Sequence, residues 1–267
     1  MPELHAPTTF AARVLPKIPV VLARSCWAIA WRRFLLSVPL ALLILGIGLA
    51  RPAFAQSVIV GIPSTDVTRP RHLMLAHESQ LNTWTYDHPY WNSFSFATYG
   101  LGRNLELAAT LYGLSSPGSK NVALSVGYKH RVPLAEGSEW EPTIAFGQMI
   151  PISLSGTGLG FWTYGVASVR LPGVRTRFTA GPSYGAKQIF GGNVLCAMVG
   201  VEQPITKSFS LIADWFSGRH DLGAVVPAIQ WNPTHAFTII AGVKIPNSKV
   251  AGPVSGLVEL TYEFDTH

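Results

Sequence analysis

The stretch Leu257-Val258-Glu259-Leu260-Thr261-Tyr262-Glu263-Phe264 sets Val258, Leu260, Tyr262 and Phe264 against Leu257, Glu259, Thr261 and Glu263. A period of two separates two faces only in an extended strand. A sandwich in water would bury the first set against a second sheet. A membrane barrel turns that set toward lipid and the glutamates toward an aqueous lumen. One strand does not choose between them, so the neighbouring sequence must.

Upstream the alternation repeats. Phe237, Ile239, Ala241, Val243 and Ile245 oppose Thr238, Ile240, Gly242 and Lys244, and Leu195, Ala197, Val199 and Val201 oppose Cys196, Met198, Gly200 and Glu202. Val122, Leu124, Val126 and Tyr128 alternate with Ala123, Ser125, Gly127 and Lys129, and Leu105, Leu107, Ala109 and Leu111 with Glu106, Ala108, Thr110 and Tyr112. Small residues on the second face suit a crowded or water-lined interior. Candidate strands fall near 71–81, 91–100, 105–114, 121–132, 140–152, 160–170, 174–186, 193–203, 208–217, 223–231, 235–246 and 254–264. That makes about twelve, within a range of ten to fourteen, because Pro142 and Pro227 weaken two of them. An even count suits a bacterial up-and-down barrel.

Connections and aromatics support the barrel. Leu101 to Asn104, Leu171 to Gly173, Pro204 to Lys207 and Asn232 to Thr234 read as tight turns, with Val132 to Glu139 the long exception. The alternate connections are longer, as expected of the outer side of such a barrel. Trp162, Tyr164, Phe178, Tyr184, Trp215, Trp231, Tyr262 and Phe264 fall near strand ends, where interface girdles sit.

Before the strands, Trp31-Arg32-Arg33 leads into an apolar run from Phe34 to Leu49, followed by Ala53-Phe54-Ala55. This is the order of a cleaved export signal with an extended n-region, so cleavage after Ala55 and a mature start at Gln56 are expected. The competing reading is an uncleaved anchor, since the run approaches the roughly 17 residues of the shortest spanning helices. Residues 1–55 are thus a leader and 56–267 one barrel domain, located in the outer membrane of a Gram-negative-type bacterium. The leader holds six of the twenty Lys and Arg and one of the fourteen Asp and Glu. The remainder therefore carries fourteen cations against thirteen anions, and the basic balance of the whole chain gives no warrant for a nucleic-acid partner. Of two cysteines only Cys196 lies beyond the leader, which excludes an internal disulfide there, and no spacing suggests a metal or other cofactor.

Gly200-Val201-Glu202-Gln203-Pro204-Ile205-Thr206-Lys207-Ser208-Phe209-Ser210-Leu211, continuing through Ala213-Asp214-Trp215-Phe216-Ser217-Gly218, resembles outer-membrane barrels loosely grouped with phenol-degradation-pathway transporters. The resemblance implies a small channel without catalytic residues. Phe264 would be the aromatic that the barrel-insertion machinery reads, although Asp265-Thr266-His267 extends the chain beyond it.

An enzyme needs a nucleophile and a base within hydrogen-bond reach. His77-Glu78-Ser79 puts His77 and Ser79 on one strand face, but Gln80 breaks a His-x-Ser-Asn arrangement, and an ordinary polar strand is the better reading. Ser217 to Asp221 reads as an exposed polar loop, with ligand gating as its functional alternative, and Gly156 to Gly160 as a flexible turn without the lysine of a phosphate loop.

What remains is a set of ionisable residues expected on the inner face: Glu78, Glu106, Lys129, Arg175, Arg177, Glu202, Asp214, Lys244, Glu259 and Glu263. In a hydrated lumen they tune the selectivity of a narrow passive channel for ions or small solutes; in a dry one they seal a structural or adhesive barrel. A lipid-modifying enzyme is the third alternative. Lys244 and Glu259 are expected nearly opposite each other, and arginine at Gly200 is expected to be tolerated where arginine at Val199 is not.

Overall fold

A computed structural model describes residues 57–82, 90–113, 123–154, 158–190, 192 and 194–266. The leader, the cleavage positions Ala53, Ala55 and Gln56, and Gly156 and Thr157 lie outside them. Twelve strands follow one another: β1 His72–Asn82, β2 Tyr90–Gly102, β3 Leu105–Tyr112, β4 Ala123–Pro133, β5 Thr143–Ser153, β6 Trp162–Arg170, β7 Arg177–Gly185, β8 Leu195–Pro204, β9 Phe209–Phe216, β10 Ala224–Trp231, β11 Phe237–Pro246 and β12 Ser255–Asp265. Each pairs antiparallel with its neighbour in sequence, and β12 returns to β1 with a continuous register from His72↔Asp265 to Leu81↔Gly256. The sheet is a closed up-and-down barrel without an edge.

The side chains sort as the alternation requires. Val199, Leu211, Ile229, Val258 and Leu260 are exposed on the outside, whereas Met198, Ile212, Ala228, Leu257 and Glu259 are buried within. An apolar band running round the whole exterior far exceeds the patches a protein in water tolerates and is the surface that hydrocarbon covers. That excludes the soluble sandwich.

Prolines interrupt the ladder locally. Pro142 falls just before β5, so that strand starts later than expected, while Pro227 stays inside β10, where pairing with β11 skips from Val225↔Ile245 to Ala228↔Gly242. A proline lacks the N–H such a rung needs. The ends differ as expected: 103–104, 171–176, 205–208 and 232–236 are the shorter connections at the end holding both strand termini, and 134–142 is the exception. Trp162 and Tyr164 depart from the expected girdle. They turn inward, where Tyr164 is buried and Trp162 packs on the core cluster. Phe209 and Trp231 do stack on the outer wall by the turns, 5.7 Å apart, and Tyr262 and Phe264 lie 4.5 Å apart at the same end.

Candidate functional site

The chain segment preceding β1 lies inside the barrel, buried against inward-facing wall residues. Residues Ser57 to Ser64 form a small hairpin: Val58 bridges Pro63, and the Ile59 amide donates to Ile62 O and the Ser64 amide to Ser57 O. Its tip, Ile59 to Ile62, reaches the middle of the barrel, and the chain returns through Thr68 to the turn end. Val58-Ile59-Val60, Gly61 and Pro63 supply β-branched arms and a turn, a hairpin signal lying ahead of the alternating region.

Three of the ten expected inner-face residues, Glu106, Lys129 and Asp214, seat this hairpin, and Arg177 and Glu263 bind the chain that follows it. Asp214 on β9 accepts from the amides of Val60, Gly61 and Ile62 at 2.9, 2.7 and 3.2 Å through one carboxylate oxygen. Three converging N–H groups on one oxygen form a charge-assisted anchor. Lower down, Glu106 accepts from Ser57 Oγ at 2.5 Å and from the Thr68 amide at 2.7 Å, so it ties both ends of the segment. Lys129, its partner directly across β3 and β4, lies 3.2 Å from Glu106 and donates to Ser57 O at 2.6 Å. Arg177 pairs across the strands with Glu202, its Nε and Nη2 at 2.5 and 2.7 Å, and also donates to Asp66. Glu263 holds Arg69 at 2.8 Å by the turn end.

Glu78 and Glu259 are buried and face each other across β1 and β12; Gln80 donates to the first at 2.6 Å and Thr261 to the second at 3.0 Å. Lys244 is not opposite Glu259. The register places it against Ser255, and Glu259 against Ile240, because the β11–β12 connection is longer than a tight turn. Lys244 is buried and donates to Gln80 Oε1 and Asp221 O at 3.0 and 2.7 Å. Arg175 is absent from the inner face altogether: it sits exposed in the β6–β7 turn with φ 59, because β7 begins only at Arg177.

Beside Lys244 and Gln80, the loop half of the lumen carries an apolar cluster. A short helix, α1 Lys187–Phe190, folds inward and buries Phe190 against Phe216 and His220, with ring centroids 5.9 and 4.8 Å apart. Ser217 to Asp221 is therefore not simply an exposed loop, since His220 is buried with its Nε2 3.3 Å from Cys196 Sγ. Burial holds the His220 imidazole below its ordinary range. Ile59 and Ile62 join the same apolar cluster as Phe190, Phe216 and Met198, so hairpin and inward loops close the lumen together.

His77 and Ser79 do share a face, with His77 Nε2 3.2 Å from Ser79 Oγ and Nδ1 2.8 Å from Ser95 Oγ. The imidazole is thus engaged by two serines, where an orienting carboxylate or amide would be expected of a triad. It faces outward as the sixth of the eleven residues of β1. At about 3.3 Å per residue and a tilt near 40°, that puts it roughly 12 Å from either strand end, among acyl chains and away from ester groups. Its ladder amides are spent on the sheet, which leaves an oxyanion without backbone donors there.

No family model and no curated protein matches the chain. Among solved structures, similarity extends to the KdgM porin in complex with disordered oligogalacturonate (8% identity, 73% of this chain and 99% of that one, TM-score 0.48). It extends also to the COG4313 outer membrane channel from Pseudomonas putida F1 (9%, 74% and 97%, TM-score 0.44) and to the Acinetobacter baumannii outer membrane protein Omp33 (8%, 75% and 100%, TM-score 0.43).

Proposed function

We propose that this barrel resides in the outer membrane as a narrow passive channel for ions or small solutes, and that the structure describes its closed state, with residues 57–70 as the stopper. The observation that carries this reading is where the charges are. Glu106, Lys129, Arg177 and Asp214 are buried wall residues whose partners include one segment, which runs into β1 through Pro70 and is held in the lumen by hydrogen bonds and ion pairs. A wall meant to stay dry is built more cheaply from apolar residues of similar volume, because burying ions costs several kcal/mol each, of order, before pairing returns it. A wall that becomes wet when the segment leaves recovers that hydration. The closing ladder of β1 and β12 does not involve the hairpin, so withdrawal leaves the barrel intact. Once exposed, the same charges line the path and set ion preference.

The export signal and the outer belt support the outer membrane as its place, with lipid around it and the barrel-insertion machinery, reading Phe264, behind its assembly. Kinship with phenol-degradation-pathway transporters rests on residues 200–218 and is kept as part of this reading. The test is conductance in planar bilayers of the chain from Gln56 compared with a chain starting at Arg71. The shorter chain is expected to conduct steadily and the longer one to stay closed or open briefly. Silence of both, in folded protein, puts the structural barrel ahead.

A further inference from the structure

At the turn end, between the returning segment and the β2–β3 and β4–β5 connections, lies a cavity of about 530 Å³. This is within the range, roughly 300 to 1,000 Å³, of small-ligand sites. Its charges do not balance locally. Of the carboxylates lining it, Asp66 is committed to Arg177, Glu263 to Arg69 and Glu141 to Arg170. That leaves Arg103 and Arg131 against Glu136, which is exposed on the 134–142 connection.

The two arginines stand on neighbouring stretches of backbone and line the same cavity. Arg103 stands in the β2–β3 turn, and the Arg131 amide donates to the carbonyl of the next turn residue, Asn104, at 2.7 Å. Arg131 shares the inward face of β4 with Ser125 and Lys129, and its Nε is buried without a hydrogen-bond partner among the described residues. A buried guanidinium N–H left without an acceptor is costly, and a second guanidinium lining the same cavity adds charge of the same sign. Both are relieved by an oxyanion seated between them, which a guanidinium fork binds with charge-assisted hydrogen bonds. Met74, Val67, Pro133 and Pro142 add apolar lining, among polar residues that include Ser57, Thr68, Asn104 and Ser138.

We infer that this cavity is a binding site for a small organic carboxylate, its carboxylate held by Arg103 and Arg131 and its short apolar body laid against Met74 and the two prolines. The site stands independently of the gating reading, since it requires only that the ligand bind, whether or not the lumen conducts.

The test is equilibrium dialysis of the folded chain from Gln56 against labelled butyrate at low ionic strength, with 1-butanol as the uncharged probe of the same length. One butyrate per chain is expected to bind saturably, and butanol not to bind. Arg131→Ala and Arg103→Ala are each expected to weaken butyrate binding at least tenfold, the loss typical of a charge-assisted hydrogen bond. Arg175→Ala, removing an exposed guanidinium from another turn at the same end, is expected to change nothing. Heat-modifiable gel mobility checks folding, and because Arg103 is exposed in its turn, its variant keeps the test decisive even if Arg131→Ala misfolds. Absence of saturable butyrate binding by the folded protein, or equal binding by the arginine variants, overturns the proposal.

Discussion

Lys244 is an inner-face lysine whose surroundings reverse an expectation. In a hydrated lumen Lys244→Glu would alter ion preference without harming the fold. In the structure Lys244 donates to Gln80 Oε1 and Asp221 O and lies close to Glu78 through their shared neighbour Gln80. A glutamate there has no donors to offer and adds an unpaired buried charge, at a cost of about 3–5 kcal/mol. The gel-mobility transition of Lys244→Glu on heating is expected to fall well below that of wild type, and Lys244→Met to fall less. His220 supplies a pH effect. Because burial holds its pKa below 6.5, the unpacked loop binds more protons than the packed one as pH falls below that value. Packing of Phe190 and Phe216 on His220 is therefore fully favoured above pH 6.5 and is lost progressively on acidification through the lowered pKa. Protection of the amides of residues 217–223, taken relative to their intrinsic exchange rates at each pH, should fall at pH 5.5 relative to pH 7.5, and His220→Phe should abolish the difference.

At the scale of the strand, the two faces of β8 respond to charge for different reasons. Val199 faces outward and arginine there meets hydrocarbon, costing roughly 2–4 kcal/mol near the midplane. Gly200 faces the hairpin, and a Cβ at that position would collide with Ile59 Cδ1. Val199→Arg is expected to impair insertion, read as lost gel-mobility shift. Gly200→Arg is expected to insert and to conduct, because its side chain displaces the hairpin tip. A silent, folded Gly200→Arg would show that the tip accommodates it. The strands themselves were legible in the sequence, because period-two alternation is local and each strand carries its own copy. Trp162 and Tyr164 read as girdle residues yet face inward, because a strand end near the interface and an inward position near the loops look alike in sequence.

For the whole molecule, closure and filling are separate events. The β1–β12 ladder closes the barrel, whereas the hairpin and the loop carrying α1 fill it. The chain beginning at Arg71 is accordingly expected to keep the slow-heating, fast-migrating folded form on gels, with a lower midpoint than the longer chain; failure to fold would mean that the hairpin is part of the scaffold. What the sequence by itself determined was the barrel: the faces, the strand number near twelve and the short and long ends, all of which follow from alternation and turn chemistry local to each strand. What only the tertiary structure decided was which partners the inward charges meet. Asp214 meets Val60, Gly61 and Ile62 across some 150 residues, and Glu106 meets Ser57 and Thr68. Such contacts depend on which segment enters the lumen once it has closed, and no local period carries that information.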